Sequence, residues 1–161
     1  MQSRILKLGL LAVLLTTALS ISIFSSCKEK DENPTTPKPT PQLEFSEWKL
    51  TKFVDVQNQT SICPNPTDED CFFLRFELNK RIFIRSSVNN ISGDYVINTE
   101  NSYFKFENLV GTEIAEVYDG NLFVECINNV SNYSISNNTL RLYYNNNQNY
   151  LEFEKRIPIT N

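Results

Sequence analysis

Between residues 73 and 85 the chain alternates with a period of two. Leu74, Phe76 and Leu78 share one parity against Phe73, Arg75 and Glu77; beyond Asn79 and Lys80, Ile82 and Ile84 alternate with Arg81, Phe83 and Arg85. Successive side chains of a strand point to opposite faces, so this pattern marks two half-buried strands joined by a hairpin at Asn79 and Lys80. Further strands fit residues 48–56, 94–97, 103–106, 132–136, 139–144 and 150–155. The connections between them are rich in Asn, which accounts for 20 of the 161 residues. Asn tolerates left-handed backbone and makes side-chain turns, so these clusters punctuate strands and do not form a binding tract. Eight short strands at turn spacing predict a mainly β fold, a small antiparallel sheet that curls or closes.

One segment departs from this period. Leu122, Phe123, Cys126, Ile127 and Val130 recur at helical spacing, with Asp119 placed to cap the N-terminus and Asn128 and Asn129 weakening the other end. The stripe reads as one short helix packed across the sheet, with Cys126 a small buried hydrophobe.

The N-terminal region carries an address. Arg4 and Lys7 precede the uncharged, mostly apolar residues 8–24, and Ser25, Ser26 and Cys27 follow directly. A positive start, an apolar stretch and small residues before a break describe a secretory signal, and the stretch is short for a membrane span. Phe24-Ser25-Ser26-Cys27 resembles a bacterial lipobox, with Phe24 in place of the usual Leu, as in Bacteroidetes-type lipoproteins. The resemblance implies cleavage after residue 26 and a diacylglyceryl group on Cys27, a two-tailed anchor that holds the chain durably on a membrane. Residues 28–41 contain four of the seven prolines and no other apolar residue, the composition of an extended spacer reaching roughly 40 Å. Lys30-Asp31-Glu32 resembles the signal that sends such lipoproteins to the outer face of the outer membrane, which favours surface display over the periplasmic face. The expected organisation is a signal peptide over residues 1–26, an acylated Cys and tether over 27–42, and a β domain over 43–161. Cleavage removes Arg4 and Lys7, shifting the formal net charge from −4 to −6.

Within the β domain the order of elements resembles the META domain family, which includes bacterial heat-shock lipoproteins of the HslJ type. The residues that carry the resemblance are Trp48 and Leu50 on the opening strand, Asn89 before Gly93 and Tyr95, residues 103–106, Gly111 and Thr112, the short helix, and the closing strands with Leu140, Leu142 and residues 151–153. The family commonly has Gly-Cys-Asn and Thr-x-Met-Ala-Cys where this chain has Ser87-Val88-Asn89 and Thr112-Glu113-Ile114-Ala115-Glu116. Both cysteines are absent together, as expected of a pair. A lipocalin-like small barrel is the alternative fold and shares the Trp opening.

The composition excludes much chemistry. With no His, the chain has no Ser-His-Asp or Cys-His nucleophile and no imidazole base or ligand. Its pI near 4.9 argues against a nucleic-acid partner. Cys63 and Cys71 bracket a loop containing Pro64 and Pro66 and are expected to pair as a disulfide in an exported protein; the alternative is free thiols. No metal or cofactor is expected: Cys-x-x-Cys spacing is missing, and Asp68-Glu69-Asp70 lacks a calcium-loop pattern and reads as a solvated loop tip. Glu152 and Glu154 share a strand face and read as its ordinary solvent side. The candidate binding surface joins Phe73, Arg75, Phe83, Arg85, Arg141 and Tyr143, since aromatics beside arginines suit protein interfaces and glycan platforms. The competing reading buries some of these against the barrel or helix. The sequence therefore predicts a non-enzymatic, lipid-anchored envelope protein that touches the membrane through Cys27 and other envelope proteins or glycans through the β domain. The second reading is a lipocalin-like carrier whose apolar ligand lies among Trp48, Phe76, Ile84 and Phe106.

Overall fold

The computed structural model describes residues 43–157. The signal peptide, the lipobox with Cys27 and the Pro-rich tether lie outside the described residues. Nine strands occur in the order β1 (Ser46–Asp55), β2 (Thr60–Ile62), β3 (Phe73–Phe76), β4 (Arg81–Arg85), β5 (Asn90–Asn98) and β6 (Tyr103–Gly111), then a helix α1 (Gly120–Asn128), then β7 (Asn132–Ser136), β8 (Thr139–Tyr144) and β9 (Asn149–Arg156). Each neighbouring pair is antiparallel, and β1 also pairs with β9, which closes β1 and β3 to β9 into an eight-stranded barrel. The ninth strand, β2, pairs only with the end of β1, Phe53 opposite Ile62. The sequence reading lacked β2 because Thr60, Ser61 and Ile62 are all exposed and carry no alternation.

The expected alternation places the core. Leu74, Phe76, Ile82 and Ile84 point inward at 0–1% exposure, and Asn79 and Lys80 turn the chain in left-handed conformation within a single 3₁₀ turn, Leu78–Lys80. Leu78, in phase with Leu74, falls in this turn and is exposed. Twelve non-glycine residues among those described have positive φ, and six of them are Asn. None of the glycines does. Asn thus supplies the left-handed turns that Gly usually supplies.

Two strands change phase part-way. In β1 the inward residues are Trp48, Leu50 and then Phe53, because a bulge shifts the β9 register between Leu50 and Lys52. The hydroxyl of Thr51 donates to the Glu152 carbonyl at this bulge (3.0 Å). In β6 the buried Phe104 and Phe106 are followed by the part-buried Leu109, across a second bulge where Asn108 has φ 53°. An extra residue unpairs one position and bends its strand.

The barrel interior is filled by side chains. Phe104 lies 5.7 Å from the Tyr95 ring, 4.9 Å from Phe106, 6.0 Å from Tyr133 and 6.2 Å from Phe76. Trp48 is buried and its indole N–H donates to Ser46 Oγ (2.7 Å). Helix α1 caps one end, burying Phe123, Cys126 and Ile127, with Phe123 5.3 Å from Phe72. Asp119 does occupy the capping position, but its carboxylate accepts the Asn65 N–H (2.7 Å) in place of a helix N–H, tying α1 to the loop after β2.

The expected Cys63–Cys71 bridge is not formed. Cys63 is exposed beyond β2, whereas Cys71 is buried and its thiol donates to the Ser87 carbonyl (3.3 Å). The loop between them is held by other bonds: Lys49 Nζ donates to the carbonyls of Asp68 and Cys71. Cys126 is buried and unpaired as expected, and burial pushes its thiol up to about 11, so it stays protonated at neutral pH.

Phe104→Ala removes the ring that four others surround and should cost about 3–5 kcal/mol in urea unfolding. A loss below about 1 kcal/mol would show the interior to be loosely filled.

Candidate functional site

Antiparallel pairing sorts the connections to two ends of the barrel. The chain enters at Leu43 on the same end as the β3–β4, β5–β6 and β7–β8 turns, while the β4–β5 turn, the β6–α1–β7 connection and the β8–β9 turn share the other. The candidate site is this second, helix-capped end.

Its polar centre is a staple between residues 86–89 and the connection after β6. The Glu116 carboxylate accepts from Ser86 Oγ (2.5 Å), Ser87 Oγ (2.5 Å) and Asn89 Nδ2 (2.7 Å). Asn89 Oδ1 accepts from Thr112 Oγ1 (2.7 Å) and the Ile114 N–H (2.9 Å), and Ser87 Oγ accepts the Val117 N–H (3.1 Å). Ser86, Ser87 and Asn89 are buried, so each bond satisfies a group that water does not reach. Burial pushes the Glu116 carboxyl up, yet the bonds from Ser86, Ser87, Asn89 and the Val88 backbone outweigh it and hold the group below its ordinary range. The staple joins residues 86–89 to residues 112–117, and a carboxylate makes the link. At Gly120 an added Cβ would push against the Glu116 side chain and Ser87 Oγ and so disturb the staple.

Beside the staple runs a groove of about 640 Å³ between the end of β6 and α1. It exists because β6 and β7 pair only at Tyr103 and Asn132, with Phe104 N–H donating to the Ser131 carbonyl, after which the Asn108 bulge turns β6 aside. Gly93 stands opposite that bulge, where a Cβ would lie 2.7 Å from the Glu107 carbonyl oxygen and 2.6 Å from Leu109 Cδ2. Ile91, Leu109, Val124 and Ile127 give the groove apolar walls, and Glu113 and Glu125 stand on its rim. Residues 112–131 and the turns 86–89 and 145–148 contain four carboxylates and no Lys or Arg. Val110, Ile114, Val117, Tyr118 and Leu122 are exposed on the same end, Val110 at 75% and Tyr118 at 70%. A second cleft of about 540 Å³, touching Leu122, Glu125, Cys126 and Tyr144, follows the other flank of α1.

The six residues named from the sequence lie on the outer barrel wall in two groups. Arg75 covers both Phe73 (5.6 Å) and Phe83 (5.4 Å), the two rings lie 5.9 Å apart, and Arg156 covers Phe73 from the other side (5.2 Å). Both arginines pair with Glu47, at 2.8 and 3.1 Å. Arg85 turns back to the Val88 carbonyl and Asn90. Arg141 sits 5.1 Å over Tyr150, which meets Tyr143 at 5.3 Å. Neither group fills the interior or lies under α1, and Phe73 is buried by the arginines that cover it. Glu152 is not the solvent-side carboxylate expected: it is 9% exposed between Lys52 (2.8 Å) and Arg141 (3.0 Å), and the Lys52 hydrogen bond holds its carboxyl below the ordinary range. Trp48, Phe76, Ile84 and Phe106, expected around an apolar ligand, are 0–7% exposed; Phe76 also borders a surface cleft with Phe45, Ser46 and Glu47 at the opposite end from α1. Among the described residues no three acidic or thiol groups converge as metal ligands.

No protein-family model matches the chain, and no curated protein does. The barrel is similar to the NMR structure of a protein from Burkholderia xenovorans, with a TM-score of 0.58 and 16% identity over 71% of this chain and 83% of that one. It is also similar to the crystal structure of a DUF4847 family protein from Bacteroides vulgatus ATCC 8482, with a TM-score of 0.56 and 15% identity over 70% of this chain and 94% of that one. At such identities the likeness is one of fold alone.

A carboxyl held below its ordinary range stabilises the fold fully above that range and loses its contribution as pH falls through the lowered value. Glu116→Gln should therefore cost about 1–2 kcal/mol at pH 7, the modest figure reflecting partial exposure, with a smaller gap to wild type at an acid pH below the ordinary carboxylate range. Urea unfolding at both pH values checks this, and an equal gap at each would remove the carboxylate from the staple's energetics.

Proposed function

We propose that this chain is a lipid-anchored cell-envelope protein of META-like design whose barrel works without catalysis, as an adaptor that contacts other proteins through its helix-capped end. The observation that carries the reading is the composition of that end: exposed Ile114, Val117 and Tyr118 stand with Glu113, Glu116, Asp119 and Glu125 in residues 112–131, a stretch that contains no Lys or Arg. Exposed aromatic and aliphatic side chains gathered on one surface with a charged rim are what an interface supplies. The alternative, carriage of an apolar ligand inside the barrel, is disfavoured by the rings packed around Phe104. Catalysis is disfavoured by the absence of His and by the use of Glu116 as a fully bonded staple.

The anchor completes the reading. An acylated Cys27, a Pro-rich tether and entry of the chain at Leu43 would hold the barrel by the end opposite α1. Outer-membrane placement, with the domain displayed at the cell surface, follows from the Lys30-Asp31-Glu32 resemblance.

Two measurements test the proposal. Labelled palmitate should mark the chain in a Gram-negative host and fail to mark Cys27→Ala; equal labelling of both would remove the anchor. A photocrosslinker at Tyr118 should give protein adducts in intact cells, and one at Val96, exposed on the barrel wall, should not. Adducts at both positions alike, or at neither, would count against an adaptor working through the α1 end.

A further inference from the structure

We infer that the groove between β6 and α1 takes a cationic, partly apolar polypeptide segment of the partner protein. The inference rests on the adaptor reading and specifies the chemistry of what the adaptor holds. The groove offers apolar walls at Ile91, Leu109, Val124 and Ile127 under a rim bearing Glu113 and Glu125. Neither rim carboxylate takes part in an ion pair among the described residues, whereas Glu47 and Glu152 on the barrel wall each hold two cations. Both rim charges are thus left without a cation beside the apolar walls.

Complementarity then selects the occupant. Nucleic acid and anionic lipid surfaces are repelled by a rim of one negative sign. A metal ion needs converging ligands, and these carboxylates stand along a groove. A small apolar ligand leaves the rim charges unanswered. A polypeptide with Lys or Arg spaced between aliphatic residues meets both features at once, its cations at Glu113 and Glu125 and its aliphatic groups on the walls. One wall is also the outer edge of β6, which has no strand partner past Phe104 among the described residues, so an extended segment finds backbone groups there as well.

The test uses the purified full chain and a blocked, fluorescein-labelled ten-residue peptide of alternating Lys and Val, followed by anisotropy. The peptide should bind, and replacing its Lys by Gln should weaken binding at least tenfold. The Glu113→Gln/Glu125→Gln variant, altered at two exposed positions, should weaken it similarly, and added salt should shrink the difference. The Glu77→Gln/Glu100→Gln variant removes the same charge from exposed turns at the opposite end and should bind as wild type; unchanged melting of both variants shows that each folds. No binding, equal binding by the Lys and Gln peptides, or equal loss in both variants would overturn the inference, the last by showing bulk charge attraction only. If Tyr118 adducts form in cells while any of these results holds, the cationic-segment inference fails and the adaptor reading stands; if the adducts are missing too, both fail.

Discussion

The closure of β1 onto β9 is the constraint on which the structure depends. Closure removes most free edges, leaving that of β6 past Phe104, and demands that inward side chains fill the interior and that register be kept around the circuit. β1 bears the largest share, pairing along one edge with β9 and along the other with β3 and then β2. Its bulge at Thr51 and Lys52 makes this possible, turning Phe53 inward after Trp48 and Leu50. Opposite this strong joint is a weak one. β6 and β7 meet at a single residue pair, and α1 stands where further pairing would be. The molecule is closed by hydrogen bonds on one side and by a helix and the Glu116 staple on the other.

That asymmetry decides what the two surfaces can do. On the β1–β9 side, outward charges fall opposite one another across strands, Glu47 against Arg75 and Arg156, and Glu152 against Lys52 and Arg141. Such ladders give the arginines partners within the barrel wall and place them over the aromatic rings Phe73, Phe83 and Tyr150. On the α1 side the connection is free of cross-strand partners, and its carboxylates meet only hydroxyls, amides or water.

Much of the fold was legible because alternation survives wherever a strand is regular. Residues 132–136 and 139–144 are strands with the bounds read from the sequence, and the helix at 120–128 followed from Phe123, Cys126 and Ile127. The losses have physical causes. β2 is exposed on both faces. The bulges hide in a spacing of i, i+2, i+5, shared by Trp48, Leu50 and Phe53 and by Phe104, Phe106 and Leu109, which breaks strict alternation and was itself the available signal. The Cys63–Cys71 pairing was inferred from loop length and compartment, but Cys71 is drawn into the core beside Ser87 while Cys63 stays outside. Glu116 joins Ser86 across 30 residues, a separation that no local pattern reveals. The site was partly legible even so: residues 112–131 hold four carboxylates and no cation, a bias visible in the sequence before any contact is known.

The scarcity of glycine bears on why the site sits where it does. With left-handed turns given to Asn, the three glycines of the domain are left for places where a side chain will not fit, and all three border the helix-capped end. Gly93 admits the β6 bulge, Gly111 packs on Ile91 where β6 leaves the barrel, and Gly120 admits the staple at the start of α1. Each lets its backbone lie closer to a neighbouring strand or to the Glu116 side chain than a Cβ allows. The groove is therefore bordered by close packing, and its rim carboxylates, Glu113 and Glu125, form no ion pair among the described residues.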